Sequence, residues 1–164
     1  FRFDNKEIED AIEFINEHQH VYYESLINCI KNNDIRELTE EEKEKANTFY
    51  KEHKDCCRKK TGKMFFSSIG GGFEYILDWT PVGFRYTYKC NTCDESIDVT
   101  DYSILAKYYE EHKDEFGFNE YDILLTIKPF SFIICGTGLG LCITIIDNYT
   151  HDSKDITDSD SWKK

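Results

Sequence analysis

FEYILDWTPVGFRYTYKCNTCDESIDVTD, residues 73–101, returns without a gap at residues 130–158 as FSFIICGTGLGLCITIIDNYTHDSKDITD. Ten positions are identical: Phe73/Phe130, Ile76/Ile133, Thr80/Thr137, Gly83/Gly140, Thr87/Thr144, Asn91/Asn148, Ser96/Ser153, Asp98/Asp155, Thr100/Thr157 and Asp101/Asp158. Composition alone gives about two matches over such a length. Further positions keep apolar character, among them Leu77/Ile134, Phe84/Leu141, Tyr86/Ile143, Tyr88/Ile145 and Val99/Ile156. An offset that never slips reads as the duplication of one structural unit.

The content of that unit follows from its spacing. Residues 73–77 predict a strand, and the shared Thr and Gly predict a turn. Residues 84–89 predict a second strand, with Phe84, Tyr86 and Tyr88 on one face and Arg85, Thr87 and Lys89 on the other. A polar turn at Cys90–Cys93 leads to a short strand over residues 98–101, whose last Asp is placed to cap a helix. In the first copy Ile104, Leu105, Tyr108, Tyr109 and His112 give that helix one face. In the second copy the chain reaches Ser161 and Trp162, leaving room only for a turn.

Upstream the period changes from 2 to 3.6. Ile8, Ile12, Ile15, Tyr22, Leu26 and Ile30 recur at helical spacing, as one long helix or two collinear ones, with Asp4 or Asn5 as N-cap. Asn32-Asn33-Asp34 marks a break. Thr39 with Glu42 three residues on is a capping box, and Ala46, Phe49, Tyr50, His53 and Cys57 form an apolar stripe that ends at Arg58-Lys59-Lys60 before Gly62. The expected fold is α+β: N-terminal helices packed on two tandem, internally duplicated antiparallel β-meander units. One domain spans 1–164, with a helical segment at 1–62, a first β unit at 64–113 and a second at 121–162.

Charge excludes several partners. The chain carries 32 acidic against 20 basic side chains, a net charge of −12. Such a field opposes nucleic-acid phosphates and an anionic membrane face, and it favours a basic protein partner. Between Asp94 and Asp122 ten acidic residues face only Lys107 and Lys113. The longest apolar stretch, Phe130 to Ile146, is interrupted by Gly136, Gly138 and Gly140 and is too short to span a bilayer. Seven cysteines at 29, 56, 57, 90, 93, 135 and 142, an odd number, point to a reducing compartment. No stretch reads as a signal peptide, although the chain opens on Phe1 rather than Met, and the expected location is cytoplasmic.

Cys90-x-x-Cys93 is the sharpest local signal. Two thiolates at this spacing in a β-turn are half of a tetrahedral zinc site. Cys56, Cys57, His53 or His112 complete it only if the fold brings them close; otherwise the pair is reduced or vestigial, or else a redox-active or disulfide pair, and zinc is the one cofactor the sequence leaves open. Gly136-x-Gly138-x-Gly140 has the look of a phosphate cradle, but no βαβ unit surrounds it, and only Gly83 answers it in the first copy; a turn with positive φ is the plainer reading. Asp98-Val-Thr-Asp101 and Asp155-Ile-Thr-Asp158 invite a catalytic-carboxylate reading, but Asp and Thr satisfying backbone N–H groups at a strand-to-helix junction is the stronger one. His18 and His20, expected on a helix, would point apart. No complete nucleophile motif is present.

The functional expectation is a non-enzymatic interaction or inhibitor protein, such as an immunity protein neutralising a basic nuclease toxin. Asp94, Glu95, Glu110, Glu111, Asp114 and Glu115 are the expected partner-binding residues. The alternative is a zinc-ribbon-like structural adaptor with Cys90 and Cys93 as metal ligands. An enzyme of unrecognised type is the third reading.

Overall fold

Side chains that alternate in polarity from Phe73 onward select extended chain, and that chain builds a six-stranded antiparallel sheet. The structure, a computed structural model, describes residues 2–55, 72–117, 119–136 and 140–158. Its strands are β1 (Phe73–Thr80), β2 (Gly83–Cys90), β3 (Ser96–Asp98), β4 (Phe130–Gly136), β5 (Leu141–Asp147) and β6 (Ser153–Asp155), in the spatial order β3-β2-β1-β4-β5-β6. The helices are α1 (Asn5–Glu17), α2 (Tyr23–Lys31), α3 (Glu40–His53), α4 (Tyr102–His112), which continues as a 3-10 turn over Lys113–Phe116, and α5 (Tyr121–Thr126). The fold is therefore α+β. Among the described residues no helix is long and apolar enough to cross a membrane.

Register puts one apolar row across the sheet. Leu77 faces Tyr86 on one side and Phe132 on the other, and Phe132 faces Ile145. These four are buried together with Phe84, Phe130 and Ile143 under Ala11, Phe14 and Ile15 of α1, Leu26 and Ile30 of α2 and Ala46 of α3. A second, smaller core of Val82, Leu105, Phe116 and Leu124 lies at the β1–β2 turn, where α4 and α5 pack. Gly83 and Gly140 both take positive φ, +131° and +154°, a backbone that L side chains resist.

Three local expectations are corrected. β1 runs to Thr80 rather than stopping at residue 77, because Trp79 and Thr80 pair with Phe84 and Gly83 across a two-residue turn. The third strand of each run lies at residues 96–98 and 153–155, not at 98–101 and its counterpart. After Asp98 a side chain continues the ladder: Thr100 Oγ1 accepts from Tyr86 N at 2.8 Å, and Asp98 accepts from Thr100 N at 2.9 Å. Thr157 and Asp155 make the same bonds with Ile143 N and Thr157 N, at 2.8 and 2.9 Å. Finally, α1 and α2 are not collinear. They pack against each other, the chain turning at His18–Tyr22 with Tyr22 left-handed at φ 64°. The expected extension of α3 to Cys57 and Arg58-Lys59-Lys60, and the turn at Ser161-Trp162, lie outside the described residues.

Both expected N-caps are present. Asp4 with Glu7 opens α1 and Thr39 with Glu42 opens α3, each as a reciprocal capping box. Glu42 does more than cap. Its side chain is fully buried, and its two oxygens take the Arg36 guanidinium at 2.7 and 2.8 Å, Thr39 N at 2.9 Å and Asp101 N at 2.8 Å. Burial pushes the carboxyl up, but the Arg36 hydrogen bonds and charge and the two backbone donors outweigh it and hold Glu42 below its ordinary value. The arrangement fixes the loop before α3, the first turn of α3 and the start of α4 on one carboxylate.

Removing one partner of a buried, hydrogen-bonded ion pair costs about 3–5 kcal/mol. Glu42→Gln is therefore expected to lower the melting temperature by roughly 10 °C in a chain of this size, against about 1 kcal/mol for the cap alone in Thr39→Ala. Because the folded carboxyl sits below its unfolded value, its contribution is complete above that value and fades as pH falls through the depressed one. Thermal melts from pH 7 to pH 3 check both points. Equal losses for the two variants would show Glu42 to be a cap and nothing more.

Candidate metal centre

The end of β2 and the last turn of α3 meet beside the β2–β3 turn. Cys90, the last residue of β2, is 1% exposed. The turn folds back on it: Cys90 N donates to Glu95 O and Asp94 N to Cys90 O, both at 2.9 Å, with Asp94 left-handed at φ 64°. This brings Cys93 alongside Cys90. On the helix, Phe49 and His53 are one turn apart and stack with ring centroids at 4.1 Å. Phe49 is itself wedged against Phe73 and Tyr88 of the sheet, at 6.5 and 5.8 Å. The His53 ring is thus fixed by packing before any ligand arrives.

The result is a convergence of three metal-ligating groups. His53 Nδ1 lies 3.4 Å from Cys93 Sγ, and the ligand atoms of His53, Cys90 and Cys93 all fall within 4.8 Å of one another. Bonds of 2.0–2.3 Å to a tetrahedral zinc place neighbouring ligands about 3.3–3.8 Å apart, so a small closure brings the set to that geometry. The other ring nitrogen, His53 Nε2, meets Glu95 Oε2 at 3.3 Å. Ligating histidines ordinarily give their second N–H to a carboxylate in this way, which fixes the tautomer and raises the basicity of the bound nitrogen. The donor set fits three of the four positions of a tetrahedral zinc site: two soft thiolates and an imidazole. Of the other completing ligands named from the sequence, Cys56 and Cys57 lie outside the described residues. His112 belongs to α4, at the far end of β2, and its Nδ1 meets Tyr108 O at 2.9 Å.

The six acidic residues do not form one patch. Asp94 and Glu95 sit in the metal-side turn, at the Cys90 end of β2, whereas Glu110, Glu111, Asp114 and Glu115 belong to α4 and the 3-10 turn. These pack at the opposite end, where Leu105 lies 3.7 Å from the Cβ position of Gly83. All six are exposed. Asp94 pairs with Lys89 at 3.8 Å and Glu110 with Lys113 at 3.4 Å. The remaining motifs are accounted for by the backbone. Asp101 caps α4 through Ser103 N at 3.1 Å; Asp98 holds Thr100 N, Arg85 and Tyr102. Of the glycine-rich loop, residues 137–139 lie outside the described residues. His18 and His20 do not point apart: α1 ends at Glu17, and both rings reach the β5–β6 turn, His18 at Asp152 (3.0 Å) and His20 at Asp147 (2.5 Å).

Sequence reasoning left the partner of Cys90 and Cys93 open and assigned Glu95 to a docking surface. The signal that finds both is the Phe49-x-x-x-His53 spacing after a capping box, which delivers an imidazole to the end of the strand that the helix covers.

Glu95→Gln removes the carboxylate behind His53 and leaves the three ligands in place. A loss of about 10–100-fold in metal affinity is expected, with Asp94→Asn, its neighbour in the same turn, unchanged. Competition of cobalt(II) between the protein and a chromogenic chelator measures it, and equal affinities for the two variants would remove Glu95 from the centre. No protein-family model, no curated protein sequence and no solved structure matches this chain.

Proposed function

We propose that this chain is a non-enzymatic interaction protein, an adaptor in which one zinc ion fastens the end of α3 to the β2–β3 turn. The single observation that carries the reading is the convergence of His53, Cys90 and Cys93, with Glu95 behind the imidazole. Thiols kept for a metal rather than for disulfides belong in a reducing compartment, which supports a cytoplasmic site of action. Two of the other described thiols are poorly suited to nucleophilic chemistry. Burial pushes Cys29 up to about 12 and Cys135 up to about 11, so both stay protonated and inert at neutral pH. We also read residues 73–101 and 130–158 as two copies of one β-meander unit, supported by the shared Thr100 and Thr157 bonds and the shared glycine conformation.

Elemental analysis of the purified protein is expected to give about one zinc equivalent. Cys90→Ser/Cys93→Ser should abolish it and lower the melting temperature by at least about 5 °C, the effect of one to two kcal/mol in a chain of this size. Metal-free protein whose stability ignores these substitutions contradicts the proposal.

A second reading concerns the partner. Glu110, Glu111, Asp114 and Glu115 are exposed along α4 and the 3-10 turn, with Lys113 paired to Glu110. Like charges at this spacing repel, so the face fits a basic protein such as a nuclease toxin. Charge reversal at Glu111 and Asp114 is expected to slow association and to flatten its salt dependence, since steering acts over about 8 Å at physiological ionic strength. Binding kinetics at two salt concentrations, with a partner captured from the native host, check this; an on-rate indifferent to both would place the interface elsewhere.

A further inference from the structure

Several contacts that hold α3 to β1–β3 recur between α1 and β4–β6, although the Arg36–Glu42 pair is not among them. Glu42 takes Asp101 N, and Glu7, at the matching position of the other capping box, is hydrogen-bonded by the backbone of Asp158. Ala46 and Ala11 are buried at the same place on the two helices. Phe49 stacks on His53 at 4.1 Å and Phe14 on His18 at 4.2 Å. Phe49 meets Phe73 edge-on at 6.5 Å and Phe14 meets Phe130 at 6.1 Å. His53 reaches Glu95 at 3.3 Å and His18 reaches Asp152 at 3.0 Å.

The two turns also share a backbone. Cys90 N bonds Glu95 O at 2.9 Å as Asp147 N bonds Asp152 O at 2.8 Å, and Asp94 N bonds Cys90 O at 2.9 Å as His151 N bonds Asp147 O at 2.8 Å. Asp94 and His151 are both left-handed, at φ 64° and 66°. In this correspondence Cys90, Cys93, Glu95 and His53 stand where Asp147, Thr150, Asp152 and His18 stand. The two thiolates lack a counterpart of the same chemistry, and His18 Nδ1, which matches the His53 ligand atom, meets Phe14 O at 2.9 Å. In place of the thiolates the buried Asp147 carboxylate takes His20 Nε2 at 2.5 Å, Tyr149 N at 2.8 Å and Thr150 N at 3.1 Å.

We infer that the β5–β6 turn with His18 is a second copy of the metal centre, emptied of thiolates, in which the His20–Asp147 and His18–Asp152 pairs do the fastening that the metal does at the first. The inference rests on the zinc reading. It makes the second turn a latent zinc site, two substitutions from function, and it assigns α1 to the last three strands, so that the first helix-and-sheet unit lies between the two parts of the second.

The test is Asp147→Cys/Thr150→Cys in the full chain, titrated with cobalt(II), each thiolate bound by the metal adding its near-ultraviolet charge-transfer band and releasing its thiol proton. One equivalent in the native sequence and two in the variant is the expected result; one equivalent in both, with the variant folded, overturns the inference and leaves the zinc reading standing. If the double variant does not fold, Thr150→Cys alone keeps the Asp147 bonds and should add a single-thiolate band, and its absence overturns the inference. A native chain that takes no metal refutes the zinc reading, and amide exchange in His18→Gln/His20→Gln then decides the fastening claim. Faster exchange confined to α1 and residues 147–152, with α3 unchanged, upholds it, and no local change or a uniform one overturns it.

Discussion

A carboxylate without access to water must be satisfied by the protein, and Glu42 is satisfied by three separate segments. Arg36 reaches it from the loop before α3, Thr39 N from the helix cap, and Asp101 N from the junction of β3 with α4. Each contact alone is ordinary. Together they leave α3 one way to start and one place to start from. The constraint spreads through Arg36, whose guanidinium lies 4.7 Å from the centre of the Tyr86 ring while its backbone oxygen accepts from the Tyr86 hydroxyl at 2.5 Å. Tyr86 is a central residue of β2, so the ion pair sets the seating of the helix on the sheet as well as its first turn.

From that anchor α3 runs along β2 towards Cys90. Its 14 residues rise about 20 Å, close to the roughly 23 Å covered by the eight residues of β2. A helix pinned at its N-terminal end and matched in length to the strand beneath it delivers its last side chain to the end of that strand. That side chain is His53, and the end of the strand is Cys90. The convergence of His53, Cys90 and Cys93 is in this sense a consequence of the ion pair at the other end of α3. The helix is held by a buried charge where it starts and by a ligand set where it stops.

Much of this was legible in the residues. The N-cap at the start of α1, the capping box at Thr39, the alternation of Phe84, Tyr86 and Tyr88, the Asp101 cap and the α+β class all rest on local chemistry that a sequence displays. What was hidden depends on contacts between distant residues. Glu42 reads as a cap because the donors that make it a hub, Arg36 and Asp101 N, are brought to it by tertiary structure. Asp94 and Glu95 read as part of one acidic run with Glu110 to Glu115, yet β3 and the junction after it carry the chain back along β2 and separate the two groups by the length of that strand. His18 and His20 read as diverging rings because the sequence gives no sign that α1 stops at Glu17. Cys90 and Cys93 were visible as half a site, and His53 became their partner only through the stacking of Phe49 on the sheet.

The central claim is that His53, Cys90 and Cys93 hold zinc, and zinc K-edge X-ray absorption on the purified protein tests it most directly. The account predicts a sulfur shell at about 2.3 Å together with imidazole nitrogen at about 2.0 Å. A coordination shell of oxygen and nitrogen alone, with no sulfur, would contradict it.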